Sequence, residues 1–332
     1  MEDIYRVHSH SDGPAKPLTE VFAKVLSSLT SIQAQSLPQD EMKRIDGIEK
    51  QLRQSMNRVV FGSNYIEHVG LGLNETLGLC ERVFQGEDVE IIDERTPDYE
   101  KRLWEEYGAQ LNSKDDRTVK SFSYGRTEVI NHAKAFQYMI DQIVSLDMPI
   151  TEECITTTHR ILCQDTPIFH RSGSVTDPLH YAGIYRDVRN IHVGAGDTMF
   201  TPPKKVPGAM KAMIADLNQD LENAQKHKKI DPFALAAKYS MQFVQIHPFQ
   251  DGNGRMCRLI LNTILCKYAG VVVPIGEDED DKKAYIDIKK RASADALDHG
   301  EYATFVLQKS EIRLRNLKKM LSGKKRSTTF LL

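Results

Sequence analysis

The stretch His247-Pro248-Phe249-Gln250-Asp251-Gly252-Asn253-Gly254-Arg255-Met256-Cys257-Arg258 decides how this chain is read. It lies between two apolar segments with helical spacing. Upstream, Asp231-Pro232 is a start signal, an N-cap followed by proline at the first helical position. Leu235, Ala236, Tyr239, Phe243 and Ile246 then carry a helix to His247 at its end. Downstream, Gly252-Asn253-Gly254 breaks the chain, and Arg255 to about Ala269 reads as a second helix capped by Gly270. Leu259, Ile260, Leu261, Ile264 and Leu265 make it apolar on most sides, so it belongs in a core. A small-residue turn at the N-terminus of a buried helix offers free backbone N–H groups and a positive dipole end, which is an anion site built from backbone. Arg255 and Arg258, three apart, project from one face of the first turn, although cations are disfavoured at that end of a helix. Two guanidiniums beside a glycine turn point to polyphosphate. Asp251 is placed to hold Mg²⁺ against such phosphates, and His247 to act as general base on an incoming hydroxyl. Taken singly, each residue also fits a structural role, such as a core histidine or an arginine paired to a carboxylate. The whole set favours the chemistry.

Away from this stretch the chain reads mainly helical, an all-α fold class with one small β-hairpin. Residues 1–17 are polar, with Gly13, Pro14 and Pro17, and are expected to be a loose tail. Val21, Phe22, Val25 and Leu26 suggest a helix, and another is expected from about Gln39 to Val60. Gly62 punctuates it, and Ser63 is expected to cap a short helix through Glu67. Residues 86–120 are charged and contain Pro97, a connector. A long helix follows around Arg126–Leu146. Thr151 then N-caps a helix running to about Cys163, with Glu152 and Glu153 in its first turn. Residues 164–190 are loop-like. Ile191 and Val193, then Met199 and Thr201, flank Gly194-Ala195-Gly196-Asp197 and read as a β-hairpin, ended by Pro202-Pro203 before a helix over Val206–Ala224.

Of 332 residues, 40% are apolar and 27% charged, ordinary for a globular protein. Forty-four Lys and Arg against 46 Asp and Glu leave a net charge of −2, which offers no basic field for nucleic acid or an anionic membrane. The five cysteines are scattered and never spaced as CxxC, so they read as reduced core thiols. With no signal-peptide stretch and no run of about 18 apolar residues, the expected location is cytoplasmic, with the nucleus as the alternative.

Residues 247–258 resemble the signature of the Fic family, HPFx(D/E)GNGRxxR, at every fixed position. The resemblance extends to Gly183-Ile-Tyr-Arg186, to the hairpin at 191–201 with its following Pro-Pro, and to Thr151–Leu162. It covers most of residues 60–310. It implies a mainly helical Fic fold with a β-hairpin flap and the transfer of AMP from ATP, with Mg²⁺ (or Mn²⁺), to Ser, Thr or Tyr hydroxyls of proteins, including the enzyme itself. His247 would be the base and Asp251 the Mg²⁺ ligand. Asn253 and the Gly252–Gly254 backbone would cradle the α-phosphate, with Arg255 on phosphate and Arg258 on the γ-phosphate. The flap residues Ile191, His192, Val193, Thr198, Met199 and Phe200 would align a target segment by strand-like pairing. Tyr285 and the Ala292–Ser293 region lie where the family tends to contact the adenine. Ser63-Asn64-Tyr65-Ile66-Glu67 resembles the family's inhibitory motif (S/T)xxxE(G/N). It implies an ion pair from Glu67 to Arg258 that keeps the arginine from ATP. Position 68 departs from the pattern, being His68 where the family has Gly or Asn.

The resemblance divides the chain into a tail (1–17), an N-terminal helical region (18–110) carrying the inhibitory motif at 63–68, a catalytic domain (111–320) and a basic tail (321–332). Dimerisation, common in the family, is a further expectation. Three alternatives stay open. In some members the inhibitory glutamate also positions water to remove AMP. Other members transfer a different nucleotide or a phosphate, although those that phosphorylate alter the glycine turn, which is intact here. A non-catalytic nucleotide-binding adaptor would need neither His247 nor Asp251.

Overall fold

The structure, a computed structural model, describes residues 4–6, 21, 23–25, 27, 28, 41–90, 101, 119–170, 172–195, 198–227, 229–294 and 298–321. The helices are α1 (Glu41–Ile66), α2 (Leu73–Phe84), α3 (Val119–Ile140, continued by a π-turn over Asp141–Ser145), α4 (Glu152–Leu162), α5 (Val206–His227), α6 (Pro232–Ile246), α7 (Asn253–Ala269), α8 (Glu279–Ala294) and α9 (Gly300–Leu321). Two antiparallel pairs of two-residue strands complete the described chain. In one, β1 (Ile168–Phe169) pairs with β2 (Val175–Thr176); in the other, β3 (Gly194–Ala195) pairs with β4 (Thr198–Met199).

Helix α7 is the axis of the fold. Fourteen of its residues are buried, and α6, α3 and α1 pack around it. Burying Leu259, Ile260, Leu261, Ile264 and Leu265 removes each from water at a gain of about 1.5–3 kcal/mol, which fixes where its polar first turn points. One apolar cluster takes in Val59 and Val60 of α1, Phe136 of α3, Phe243 of α6, Leu261 of α7 and Val306 of α9. All five cysteines are buried free thiols. Among the described residues no helix is long and apolar enough to cross a membrane.

The caps read from sequence form as expected. Thr151 Oγ1 accepts from Cys154 N at 3.1 Å, and Asp231 Oδ1 from Ala234 N at 3.1 Å. Gly270 closes α7 in the left-handed region at φ 61°.

Other expectations fail. Gly62 does not end a helix, because α1 runs through it to Ile66. Its missing side chain serves packing instead, since a Cβ there would collide with the Ile275 carbonyl. Ser63 is therefore interior to α1 and caps nothing. The third helix starts at Val119, ahead of the expected Arg126. Residues 164–190, read as loop, contain the β1–β2 pair. In the second hairpin Gly194 and Ala195, read as turn, are paired to Met199 and Thr198, while Ile191 and Val193 stand outside the strands. Within the expected loose tail, Tyr5 is buried and its hydroxyl donates to the Asp231 carboxylate at 2.8 Å. Phe22, Leu26, most of the 86–120 connector and residues 322–332 lie outside the described residues.

Candidate functional site

Helix α6 delivers His247 in the left-handed conformation, φ 52°, ψ 60°, which turns the chain sharply toward Gly252. Its ring Nδ1 donates to the Val244 carbonyl at 3.0 Å, so Nε2 carries the lone pair. The ring stacks on Phe200 of the hairpin, centroids 3.8 Å apart. Burial lowers its pKa to about 4, and the cations Arg186 and Lys289 push the same way. The imidazole is thus neutral at pH 7, with its free nitrogen available to accept a proton.

Arg186 holds that turn. Its guanidinium donates to the carbonyls of His247 (2.6 Å), Ile191 (2.9 Å), Thr201 and Ile246 (3.3 Å), and its backbone N–H donates to Pro248 O at 2.9 Å. One buried side chain therefore ties the end of α6 to both roots of the hairpin. The sequence quotes Arg186 within Gly183–Arg186 without revealing this role.

A second unpredicted residue, His159 of α4, shapes the glycine turn. Its Nε2 donates to Asp251 O at 2.9 Å, its Nδ1 accepts from Gly183 N at 2.8 Å, and its ring lies on Phe249 at 3.6 Å and 4°. Burial drops its pKa to about 3 and keeps it neutral. Gly252 takes φ 73°, where a side chain is strained, and a Cβ there would press on His159 Nε2 at 3.0 Å. The Asn253 side chain is committed to the loop, accepting from Phe249 N at 3.0 Å and donating to Phe249 O at 2.9 Å. What Asn253 and Gly254 offer an anion is therefore backbone N–H at the first turn of α7.

The two arginines differ in state. Arg255 is buried. It reaches Asp251 at 3.4 Å and Glu128 at 4.0 Å, yet its Nε and Nη1 have no hydrogen-bond partner among the described residues. Buried N–H donors are rarely left so, which marks Arg255 as a candidate contact for an anion. Burial raises the Glu128 pKa against the pull of Arg255. Asp251 is 52% exposed and open to a cation beside that turn. These residues fit a polyphosphate with a divalent metal.

Arg258, by contrast, is fully engaged. Nε donates to Ser63 Oγ at 2.8 Å; Nη2 donates to Ser63 O at 3.0 Å and to Glu67 Oε1 at 2.6 Å; Nη1 lies 3.4 Å from the Tyr285 hydroxyl. Glu67 also overhangs the glycine turn, since a Cβ on Gly254 would collide with its Oε1. Tyr285, expected near the adenine, is buried against Arg258 and Tyr302.

His68 takes φ 57°, the left-handed conformation that suits Gly or Asn. His68 N donates to Tyr65 O at 3.3 Å and Val69 N to Asn64 O at 3.1 Å, the two bonds of a Schellman C-cap. The departure at position 68 thus keeps the turn that carries Glu67.

In the hairpin, Ile191 and Val193 are half-buried, His192 is exposed, and Met199 is 86% exposed. Thr198 pairs with Ala195 in register. Phe200 is the member placed on His247.

The helical scaffold and its histidine–glycine–arginine loop match the Fic/DOC family over residues 149–265. A Fido domain-containing protein of Dictyostelium discoideum is 32% identical over 135 residues, 40% of this chain and 90% of that protein. The chain belongs to the Fic/DOC family. A Caenorhabditis briggsae protein named protein adenylyltransferase fic-1 is 34% identical over 121 residues, 35% of this chain and only 22% of that protein. The crystal structure of a Fic domain-containing signaling protein from Bacteroides thetaiotaomicron shares the fold at TM-score 0.62 and 18% identity, over 93% of this chain and 99% of that one.

Proposed function

We propose that the chain is a protein adenylyltransferase that moves AMP from ATP to Ser, Thr or Tyr hydroxyls of proteins, itself included, and that Glu67 restrains it. The observation that carries this reading is the contrast between the arginines: Arg255, in the first turn of α7, has two buried nitrogens without a hydrogen-bond partner among the described residues, while Arg258 is occupied by Ser63 and Glu67. The α-phosphate would lie against the backbone N–H groups at Gly252–Gly254, with Arg255 beside it and Arg258 on the γ-phosphate. Mg²⁺ or Mn²⁺ held by Asp251 would neutralise phosphate charge when bound. His247 Nε2 takes the hydroxyl proton as that oxygen bonds to the α-phosphorus, and the bond to the β-bridging oxygen breaks to release pyrophosphate. The stack on Phe200 and the Arg186 clamp keep the imidazole facing this point.

Intact-mass measurement after incubation with ATP and Mg²⁺ tests the reading. Glu67→Gly protein is expected to gain AMP, wild type less, and Glu67→Gly/His247→Ala none. No gain by Glu67→Gly, with or without candidate targets, rejects it; a gain of phosphate alone points to a different transfer. A second reading, hydrolytic removal of AMP, is favoured by Glu67 Oε2, which overhangs the turn with no hydrogen-bond partner among the described residues and could hold a water. Release of AMP from a modified protein by wild type but not by Glu67→Gly distinguishes that direction.

A further inference from the structure

We infer that Lys282 of α8 is a positioning residue that holds Glu67 on Arg258, an inference that rests on the restraint proposed above. Lys282 is 5% exposed, and among the described residues no carboxylate lies within ion-pair distance of its ammonium. Instead Nζ donates to Tyr65 O at 3.4 Å and to His68 Nε2 at 3.1 Å, and lies 4.9 Å from the centre of the Tyr65 ring. An ammonium has no lone pair, so His68 accepts through Nε2 and its proton sits on Nδ1. These partners bracket Glu67 in sequence. The cation also sits at the C-terminus of α1, the end of a helix where positive charge is stabilising.

A buried lysine with no ion-pair partner among the described residues costs desolvation, which a positioning role would offset. The spacing along α8 supplies it. Lys282 and Tyr285 are three apart and share a face. The first grips the turn that bears Glu67, and the second touches the guanidinium that Glu67 binds. Glu279, in the turn before, accepts from the Tyr65 hydroxyl at 3.0 Å. One helix thus sets the position of both partners of the ion pair. Separating α8 from α1 would loosen the carboxylate without any change at Glu67 itself. His68, where the family pattern has Gly or Asn, is what gives the lysine a side-chain acceptor.

Lys282→Met tests this in the full-length chain. Methionine keeps the apolar stem and helix propensity and removes only the ammonium. AMP gain by Lys282→Met is expected to rise about five-fold, the scale of one lost hydrogen bond; in a Glu67→Gly background the same change should do nothing, and Lys282→Arg should restore restraint. Hydrogen exchange gives an independent readout: the His68 and Val69 amides, which close the turn, should exchange faster in Lys282→Met while the amides in the middle of α7 stay protected. Unchanged exchange at those two amides overturns the assignment, as does a rise in AMP gain that persists in the Glu67→Gly background. If Glu67→Gly gains no AMP, the functional reading fails on that arm alone, and the exchange comparison still decides the role of Lys282.

Discussion

Replacing Glu67 with glutamine removes one negative charge and almost nothing else. The carboxylate accepts from a fully buried guanidinium at 2.6 Å, and its own side chain is 36% exposed. A hydrogen bond to a charged group contributes about 1.5–3 kcal/mol and one to a neutral acceptor about 0.5–1.5; glutamine still accepts from Arg258, so the loss is the difference, about 1 kcal/mol. On the function proposed above, ATP displaces that contact to take Arg258. Since a factor of ten is about 1.4 kcal/mol, Glu67→Gln should tighten ATP binding roughly five-fold. Calorimetric titration with Mg²⁺, in a His247→Ala background so that nothing turns over, measures it directly. Adenosine, which has no phosphate to meet Arg258, should change little. An unchanged ATP affinity, or an equal gain for adenosine, would show that Glu67 and ATP do not compete for the arginine.

Three further outcomes are expected. The acid limb of kcat/KM should fall near pH 4 rather than near 6.5, because His247 stays neutral down to about 4; a limb at 6.5 would remove it as the base. Buried neutral His132, His159 and His247 have folded pKa values below the unfolded value, so their contribution to stability is complete above about pH 6.5 and is lost as pH falls, at about 1.4 kcal/mol per unit for each. Urea midpoints at pH 7 and 5.5 check this, and equal midpoints would contradict it. Arg186→Ala should lower the transfer rate at least about ten-fold while leaving ATP affinity within a factor of about two, since it frees His247 and the hairpin but leaves the glycine turn in place; a matching loss of ATP affinity would place the damage elsewhere.

The sequence revealed most where the cause is local. Asp231-Pro232, Thr151 and Gly270 act on their own helix ends, and each stands where it was read. The loop at 247–258 was legible because its chemistry is contiguous. Gly62 and Ser63 misled for the opposite reason: both answer to distant partners, the Ile275 carbonyl and Arg258, and local rules mistake such residues for a break and a cap. Arg186 and His159 were hidden in the same way, since their partners lie 61 and 92 residues away. The β1–β2 pair escaped because two-residue strands leave no alternation to detect. The ion pair of Glu67 with Arg258 is the exception, a contact across 191 residues that the family resemblance suggested and no periodicity could.

The four carbonyls gathered by Arg186 separate two properties that usually change together. The guanidinium is planar and stiff, so it fixes the spacing between the root of the hairpin and the His247 ring, while His192 and Met199 are exposed. On the function proposed above, substitutions at those two exposed positions would alter which polypeptide is seated without retuning the reaction centre. Diversification of targets and preservation of chemistry would be independent evolutionary variables, hinged on a single arginine.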